Sequence, residues 1–252
     1  MGVGTIYQLL KFEMKSKPPL IGITTAGQLD TRLFCIRGDY VEAVRLAGGL
    51  PILLPPGEPD PGLILERVDG LIFSGGGDID PAAYNGSSHP TVYNVDEQRD
   101  RFELSLAKLA LNTDIPILGI CRGLEILVVA TGGKLVAHVP DEFGSAIAHR
   151  SHQSRHCEHS VQICPKSRLA TLIKAPEPQI VSWHHQAVRT VPPGWRIAAR
   201  ASDGVIEAVE HETHPWAIAL QWHPELAPND PCQQRIFQSL VETARDRAIK
   251  LA

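Results

Sequence analysis

The chain has 252 residues, of which 43% are hydrophobic and 21% charged, and its formal net charge is -4 at pH 7. This composition is that of a globular protein and excludes a disordered or fibrous chain. The length fits one α/β domain better than two small ones, and the slight acidity argues against a nucleic-acid or membrane-surface partner.

Cysteine usage and the lengths of the apolar runs predict a cytoplasmic protein outside the membrane. The five cysteines are widely spaced, without a C-x-x-C pair, which suits a reducing compartment. No apolar run approaches the ~20 residues of a spanning helix. Residues 1–17 contain lysines and no small-residue cleavage site, so they predict an N-terminal extension, with Met14 as an alternative start, ahead of a single domain over 18–252.

The first half of the chain alternates apolar runs of strand length with amphipathic segments. Strands are predicted over 19–24, 50–54, 70–73 and 115–120, and helices over 39–47, 63–68 and from a cap at Asp96. Continuous apolar strands alternating with helices predict a parallel sheet covered on both faces. Ligands of such sheets bind outside the carboxyl ends of the strands, here the loops after 73 and 120.

Beyond residue 139 the pattern changes to shorter, alternating segments. Those over 159–163 and 204–209 predict antiparallel strands added to the sheet. A late strand over 216–222 and a closing helix over 233–252 complete the α/β domain.

A candidate nucleophile stands between a predicted strand and a predicted helix. Cys121 is the centre of Gly119-Ile120-Cys121-Arg122-Gly123. Flanking glycines permit the sharp turn that lifts a nucleophile above a sheet, and the start of a helix favours a thiolate. Taken alone, Cys121 fits a small buried apolar residue equally well.

A candidate base lies in Gln221-Trp222-His223-Pro224-Glu225. Two residues apart at a strand end, His223 and Glu225 are expected to share one face. The histidine can take the thiol proton while the carboxylate fixes its tautomer. On its own, His223 is typical of a strand-end histidine beside a turn proline.

A glycine loop, Ser74-Gly75-Gly76-Gly77-Asp78, follows the predicted strand over 70–73. Its backbone amides can line an oxyanion hole or cradle a phosphate. The absence of a following Lys-Ser or Lys-Thr argues against a P-loop.

Together these motifs resemble class I glutamine amidotransferases, and more closely their γ-glutamyl-γ-aminobutyrate hydrolase branch, the peptidase C26 family. Besides the segments above, the resemblance rests on Ile21-Gly22-Ile23-Thr24, Ile79-Asp80-Pro81, Asp96 with Arg99-Asp100 and Phe102-Glu103, and Ser182-Trp183-His184-His185-Gln186. It implies a flavodoxin-like central parallel sheet with helices on both faces and added antiparallel strands. It also implies hydrolysis of a γ-glutamyl amide of a small amine, a step of polyamine catabolism.

The resemblance also implies roles for individual residues. Cys121 would be the nucleophile, His223 the general base and acid, and Glu225 its orienting carboxylate. The backbone amides of Gly76 and Arg122 would form the oxyanion hole.

Substrate binding is implied for Glu125, His185 and Gln186, although a polar loop also explains the latter two. The family usually has glutamine where this chain has Glu125. An ionised glutamate offers only acceptors, so it should favour an ammonium group and repel a nearby carboxylate.

Other charged and histidine-rich segments are expected to be structural. The crowded His149, His152, His156, Cys157 and His159 match no standard zinc spacing, so we expect no metal and no cofactor.

Acidic and basic residues elsewhere have simpler explanations than binding. Loop capping accounts for Asp78 and Asp80, and a structural or solvated helix start accounts for Arg99, Asp100 and Glu103.

Two other functions stay open at this point. One is a glutaminase subunit that supplies ammonia to a separate synthetase, and the other is a γ-glutamyl-binding protein without catalysis. The expected partners are a small γ-glutamyl substrate and water, with neither nucleic acid nor membrane. A second copy of the chain, forming a homodimer, is a further candidate partner.

Overall fold

A computed structural model of the chain describes residues 17–28, 33–152 and 155–251. Residues 1–16 of the predicted N-terminal extension lie outside the described residues. The strands are β1 (Leu20–Thr24), β2 (Ala26–Gln28), β3 (Leu33–Cys35), β4 (Leu50–Leu54), β5 (Gly70–Phe73), β6 (Ile117–Ile120), β7 (Lys134–Val136), β8 (Cys157–Ser160), β9 (Gln162–Ile163), β10 (Gln179–Ser182), β11 (Ala187–Thr190), β12 (Trp195–Arg200), β13 (Ile206–His211) and β14 (Ala217–Leu220).

The helices alternate with the strands in the first half of the chain and become sparse in the second. They are α1 (Gly38–Leu46), α2 (Gly62–Leu65), α3 (Glu97–Ala110), α4 (Arg122–Ala130), α5 (Val139–Phe143), α6 (Arg168–Ile173) and α7 (Pro231–Leu251), with 3₁₀ turns at Pro81–Tyr84 and Pro224–Leu226. In the described ranges, no helix is both long and apolar enough to cross a membrane.

A parallel sheet forms the centre of the molecule. Its strands lie side by side in the order β4, β1, β5, β6 and β14, all parallel. Counting these five in chain order gives 2-1-3-4-5, the flavodoxin-like order. The predicted α/β class is confirmed.

Antiparallel strands extend the sheet on one side, as predicted for the second half of the chain. β13 pairs antiparallel with β14, and β11 and β7 follow it. β12 pairs with both β13 and β9, while β8 and β10 form a separate pair.

Helices cover both faces of the sheet, which explains the continuous apolar strands. One core packs α1, α6 and α7 against the sheet, and the other packs α2, α3 and α4 against the opposite face. All residues of β5 and β6 are consequently buried.

Local signals in the sequence set several element ends. The Asp96 carboxylate accepts the backbone N–H groups of Gln98 and Arg99 at 3.1 and 3.0 Å and so caps α3, as predicted. Gly48, with φ of +83°, follows the end of α1.

The segment predicted as one strand over 159–163 is two strands. β8 pairs with β10 whereas β9 pairs with β12, because the chain changes neighbours at Val161. The backbone N–H of Val161 donates to the carbonyl of Pro178 at 3.2 Å instead of joining a ladder. The predicted helix over 63–68 is likewise shorter, ending at Leu65.

The turn between β6 and α4 is strained and depends on two glycines. Cys121 has φ of 53° and ψ of -110°, a region that side-chain-bearing residues rarely occupy. A Cβ on Gly123 would lie 1.9 Å from the carbonyl oxygen of Phe73, and one on Gly119 would lie 2.8 Å from the Gly123 backbone. The close approach of α4 to β5 therefore requires glycine at both positions.

Gly123→Ala is expected to destabilise the protein by about 3 kcal/mol or more, because the backbone atoms that a Cβ meets cannot swing away. That loss corresponds to a fall in Tm of about 6–12 °C for a chain of this size. The matched control is Gly38→Ala at the start of α1, where an added Cβ meets nothing within 4 Å. Thermal unfolding of both variants tests this, and equal Tm values would contradict it.

Candidate active site

Three segments meet at the carboxyl ends of neighbouring parallel strands. The glycine loop follows β5, Cys121 follows β6, and His223 follows β14. A Cβ added to Gly75 would lie 3.1 Å from Cε1 of His223 and 3.6 Å from Cβ of Cys121. The loop therefore lies directly beside both side chains.

The imidazole of His223 connects the cysteine with a carboxylate. Its Nδ1 hydrogen-bonds Oε1 of Glu225 at 2.6 Å. The thiol of Cys121 lies within interaction range of the imidazole, whose Nε2 has no other hydrogen-bond partner among the described residues. All three side chains are buried.

Glu225 reaches the imidazole from a 3₁₀ turn and not from a continued strand. β14 ends at Leu220, and Pro224 begins the turn that carries Glu225. The two side chains do meet, as expected. The expected reason, alternation along one strand, is wrong, because Glu225 lies on the 3₁₀ turn. The backbone N–H of His223, donating to the carbonyl of Val181 at 2.8 Å, fixes the position of this turn.

Burial and neighbouring charges shift the pKa values of Cys121 and His223 to different extents. Burial raises the pKa of the Cys121 thiol above its ordinary value, and the nearby imidazole offsets this only in part. Burial also opposes a charged His223, but Glu225 and Cys121 outweigh it and hold the imidazole pKa well above its usual range. Desolvation therefore opposes the lowering of the thiol pKa that the helix start is expected to produce.

The glycine loop is held at the site by contacts that a larger residue would block. The N–H of Gly75 donates to the hydroxyl of Tyr40 at 2.9 Å. A Cβ on Gly76 would lie 2.1 Å from the guanidinium of Arg99. Gly76 lines the cleft, while Arg122 is the first residue of α4, where a backbone N–H has no intrahelical acceptor. The oxyanion hole assigned to Gly76 and Arg122 stays a prediction.

A buried ion network joins the glycine loop to the nucleophile turn. Arg122, next to Cys121, pairs with both Asp100 and Glu103 on α3. Glu103 also accepts from Arg99 at 3.0 Å, and Arg99 in turn donates to the carbonyl of Gly75 at 3.0 Å. The charges at the start of α3 are therefore structural, as predicted, but buried instead of solvated.

An open cleft of about 490 Å³ leads to the cysteine, a volume suited to a small-molecule ligand. Its lining residues are Ala26, Cys35, Ile36, Arg37, Tyr40, Gly75, Gly76, Gly77, Tyr93, Asn94, Cys121, Trp183 and His223.

Among these lining residues, sequence reasoning gave no role to the polar or aromatic side chains of Arg37, Tyr40 and Trp183. The Arg37 guanidinium lies 5.7 Å from the centre of the Trp183 ring, so it brings a cation to the cleft. The signal for Trp183 was its place in the Ser182–Gln186 motif, whereas nothing around Arg37 distinguishes it in the sequence.

The residues predicted to bind substrate lie outside this lining. Glu125, His185 and Gln186 are each less than 5% exposed. His185 hydrogen-bonds the Asp78 carboxylate at 3.0 Å, which also accepts the N–H of Tyr93 at 3.0 Å. Substrate binding by the three residues stays a prediction.

Asp80, the other acidic residue of this region, caps the 3₁₀ turn at Pro81–Tyr84. Its carboxylate accepts the N–H of Ala82 at 2.9 Å, which confirms the expected capping role.

Glu125 is a buried carboxyl group rather than an exposed charge. Burial raises its pKa to about 8, although a hydrogen bond from Gln221 at 2.9 Å favours the ionised form. The expectation of an ionised Glu125 is therefore wrong near neutral pH. A protonated carboxyl group has one donor and an acceptor, so it can replace a glutamine side chain in a hydrogen-bonding role.

Comparison with known proteins identifies the family of the chain. The sequence profile of the peptidase C26 family matches residues 19–225. A protein of Mycobacterium tuberculosis named as a candidate glutamine amidotransferase is 37% identical over 235 residues, covering 90% of this chain and 75% of that protein. The γ-glutamyl-γ-aminobutyrate hydrolase of Escherichia coli O157:H7 is 35% identical over 211 residues, covering 79% and 81%.

Structural comparison gives the same fold. The crystal structure of a candidate GMP synthase component from Thermoplasma acidophilum has a TM-score of 0.65 at 19% identity, covering 93% of this chain and 98% of that one. The fold and the family match define an α/β protein of the glutamine amidotransferase type. The chain belongs to the class I glutamine amidotransferase superfamily and, within it, to the peptidase C26 family. The family and its hydrolase members support an amide-hydrolysing enzyme.

Glu125→Gln is expected to stabilise the protein in a pH-dependent way. Since the folded-state pKa of about 8 exceeds the ordinary 4.5, the folded chain retains a proton that the unfolded chain releases, and wild-type stability falls as pH rises through this window. The variant should gain about 3–4 kcal/mol near pH 8 and less than about 1 kcal/mol near pH 5.

Urea unfolding of wild type and variant at both pH values measures this difference. Glu42→Gln, at an exposed position on α1, is the control and should change little. If Glu125→Gln changes the free energy of unfolding by the same amount at both pH values, Glu125 does not carry a buried proton.

Proposed function

We propose that the protein hydrolyses the γ-glutamyl amide bond of a small γ-glutamyl compound, with Cys121 as nucleophile. The observation that carries this proposal is a cysteine on a strained turn in an open cleft, beside an imidazole bonded to a carboxylate. The substrate class comes from the relative named γ-glutamyl-γ-aminobutyrate hydrolase.

In the first half of the reaction, Sγ of Cys121 attacks the amide carbonyl carbon while its proton passes to Nε2 of His223. The carbonyl oxygen becomes an oxyanion, which the N–H groups of Gly76 and Arg122 stabilise. His223 then gives its proton to the leaving nitrogen. The C–N bond breaks, the amine departs and the γ-glutamyl group stays on sulfur as a thioester.

In the second half, water attacks the thioester carbon and loses a proton to His223. The C–S bond breaks, glutamate leaves and the thiol regains its proton. Glu225 holds the Nδ1 proton of His223 throughout, which keeps Nε2 free as a base and stabilises the imidazolium that forms twice.

The surroundings favour forming the two charges together. Burial disfavours a lone thiolate, whereas Glu225 at 2.6 Å and the thiolate itself stabilise the imidazolium once the thiol proton has moved to Nε2 of His223. Proton transfer and attack on the substrate carbonyl therefore belong to one step of the proposed reaction.

A second candidate function is a glutaminase subunit that passes ammonia to a separate synthetase. The relative from Mycobacterium tuberculosis, named as a candidate glutamine amidotransferase, favours it. It predicts that glutamine is the preferred substrate and that a partner protein stimulates its hydrolysis. Binding without catalysis is disfavoured because Cys121, His223 and Glu225 are all present.

Cys121→Ala should lower kcat/KM for γ-glutamyl amides by about 10⁴-fold or more, because only binding and oxyanion contacts remain. The control is Cys164→Ala, a partly buried thiol outside the cleft, which should retain wild-type activity. Release of glutamate from glutamine, γ-glutamyl-γ-aminobutyrate and other γ-glutamyl amines provides the readout. Wild-type rates in Cys121→Ala would contradict the thiol mechanism, and turnover of glutamine alone would favour the glutaminase.

A further inference from the structure

Three histidines and one glutamate converge in the interior, outside the cleft. His149 lies in the loop after α5, His159 on β8, His184 just after β10, and Glu207 on β13. Their exposed fractions are 4, 9, 4 and 0%. Only His149 and His159 belong to the crowded histidine segment seen in the sequence.

The three imidazoles surround a single carboxylate oxygen. Oε1 of Glu207 lies 3.0 Å from Nδ1 of His149, 3.4 Å from Nε2 of His184 and 3.6 Å from Nε2 of His159. One ligand atom from each of the four residues can be chosen so that all lie within 4.8 Å of one another. The ligand atoms of a tetrahedral zinc site with bonds of ~2.0–2.1 Å are separated by ~3.3–3.4 Å. The distances to Glu207 bracket this spacing, and the widest separation among the four atoms is within 4.8 Å.

Hydrogen bonds and ion pairs account for only part of this arrangement, the closest contact being His149 to Glu207 at 3.0 Å. None of the three inward nitrogens, and neither oxygen of Glu207, makes a hydrogen bond of normal geometry within the described residues. Buried polar atoms without partners are costly, so such a convergence calls for a ligand.

The outward nitrogens of the rings show where the protons lie. Nε2 of His149 bonds the carboxylate of Asp203 at 2.9 Å, and Nδ1 of His184 bonds the carbonyl of Gln186 at 2.8 Å. Nδ1 of His159 lies 3.1 Å from the carbonyl of Ser160. Each outward nitrogen faces an acceptor and must donate, so a neutral ring presents a lone pair inward. Where all three rings are neutral, three lone pairs and a carboxylate face one another without a donor; a charged His149 would instead donate its Nδ1 proton to Glu207 at 3.0 Å.

We propose that His149, His159, His184 and Glu207 bind a structural Zn²⁺ ion. Three imidazole nitrogens favour zinc over magnesium or calcium, which prefer oxygen ligands. Four buried protein ligands complete a tetrahedron and leave no open position, which is typical of a structural and not a catalytic site. The outward bonds to Asp203, Gln186 and Ser160 are the outer-shell contacts that orient metal-bound imidazoles.

The zinc site would fix one wall of the cleft. His184 stands between Trp183, which lines the cleft, and His185, which bonds Asp78 of the glycine loop. The carbonyl of Trp183 lies 4.0 Å from Sγ of Cys121. Holding His184 therefore positions the segment nearest the nucleophile.

The first test is the metal content of the full chain, expressed in zinc-containing medium and measured by inductively coupled plasma mass spectrometry. Wild type and Cys121→Ala should retain one zinc ion per chain. His159→Gln and Glu207→Gln should lose it. His214→Gln, which changes a buried histidine outside the cluster, is the matched control and should keep the metal.

The second test uses wild type, so it does not depend on whether the variants fold. After removal of metal by a chelator, Co²⁺ should give the intense visible absorption of a tetrahedral site. Zn²⁺ at a thousand times its dissociation constant should raise Tm by about 8–16 °C. Absence of stoichiometric zinc, tetrahedral cobalt absorption and a Tm shift would overturn the proposal. Zinc that is lost in Cys121→Ala but kept in Glu207→Gln would overturn it too, by placing the metal at the nucleophile.

Discussion

The position of Cys121, the proposed nucleophile, depends on the contact between Gly123 and the carbonyl oxygen of Phe73. Because residue 123 has no side chain, α4 can begin directly against the end of β5, and the chain must turn sharply through Cys121 to reach it. The resulting backbone conformation costs about 1–3 kcal/mol, which the buried strands on both sides must outweigh.

Buried charges secure this arrangement. Arg122 and Arg99 pair with acidic residues of α3, and Arg99 also holds the carbonyl of Gly75, so one network fixes both the turn and the loop. Buried ion pairs add little net stability compared with apolar packing, but removing one partner is costly. Their contribution here is to specify the distance between the loop and the nucleophile.

The parallel sheet and the meeting of Cys121, His223 and Glu225 could be predicted from the sequence because their signals are local. Apolar runs bounded by turns mark the strands, and the Asp96 cap and the glycines around Cys121 act within a few residues. What the sequence could not reveal depends on residues far apart in the chain. The split of 159–163 between two partner strands, the proton on Glu125 and the meeting of His149 with Glu207 all follow from tertiary contacts.

The central claim is that the γ-glutamyl group becomes covalently attached to Cys121. Wild-type protein mixed with a γ-glutamyl amide, quenched in acid within the first turnover and digested should show one glutamyl group on the peptide containing Cys121. Hydroxylamine, which cleaves thioesters, should remove it, and Cys121→Ala should never acquire it. The experiment is run where the thioester forms faster than it is hydrolysed. If glutamate is then released at the wild-type rate but that peptide never carries an adduct, the mechanism is contradicted.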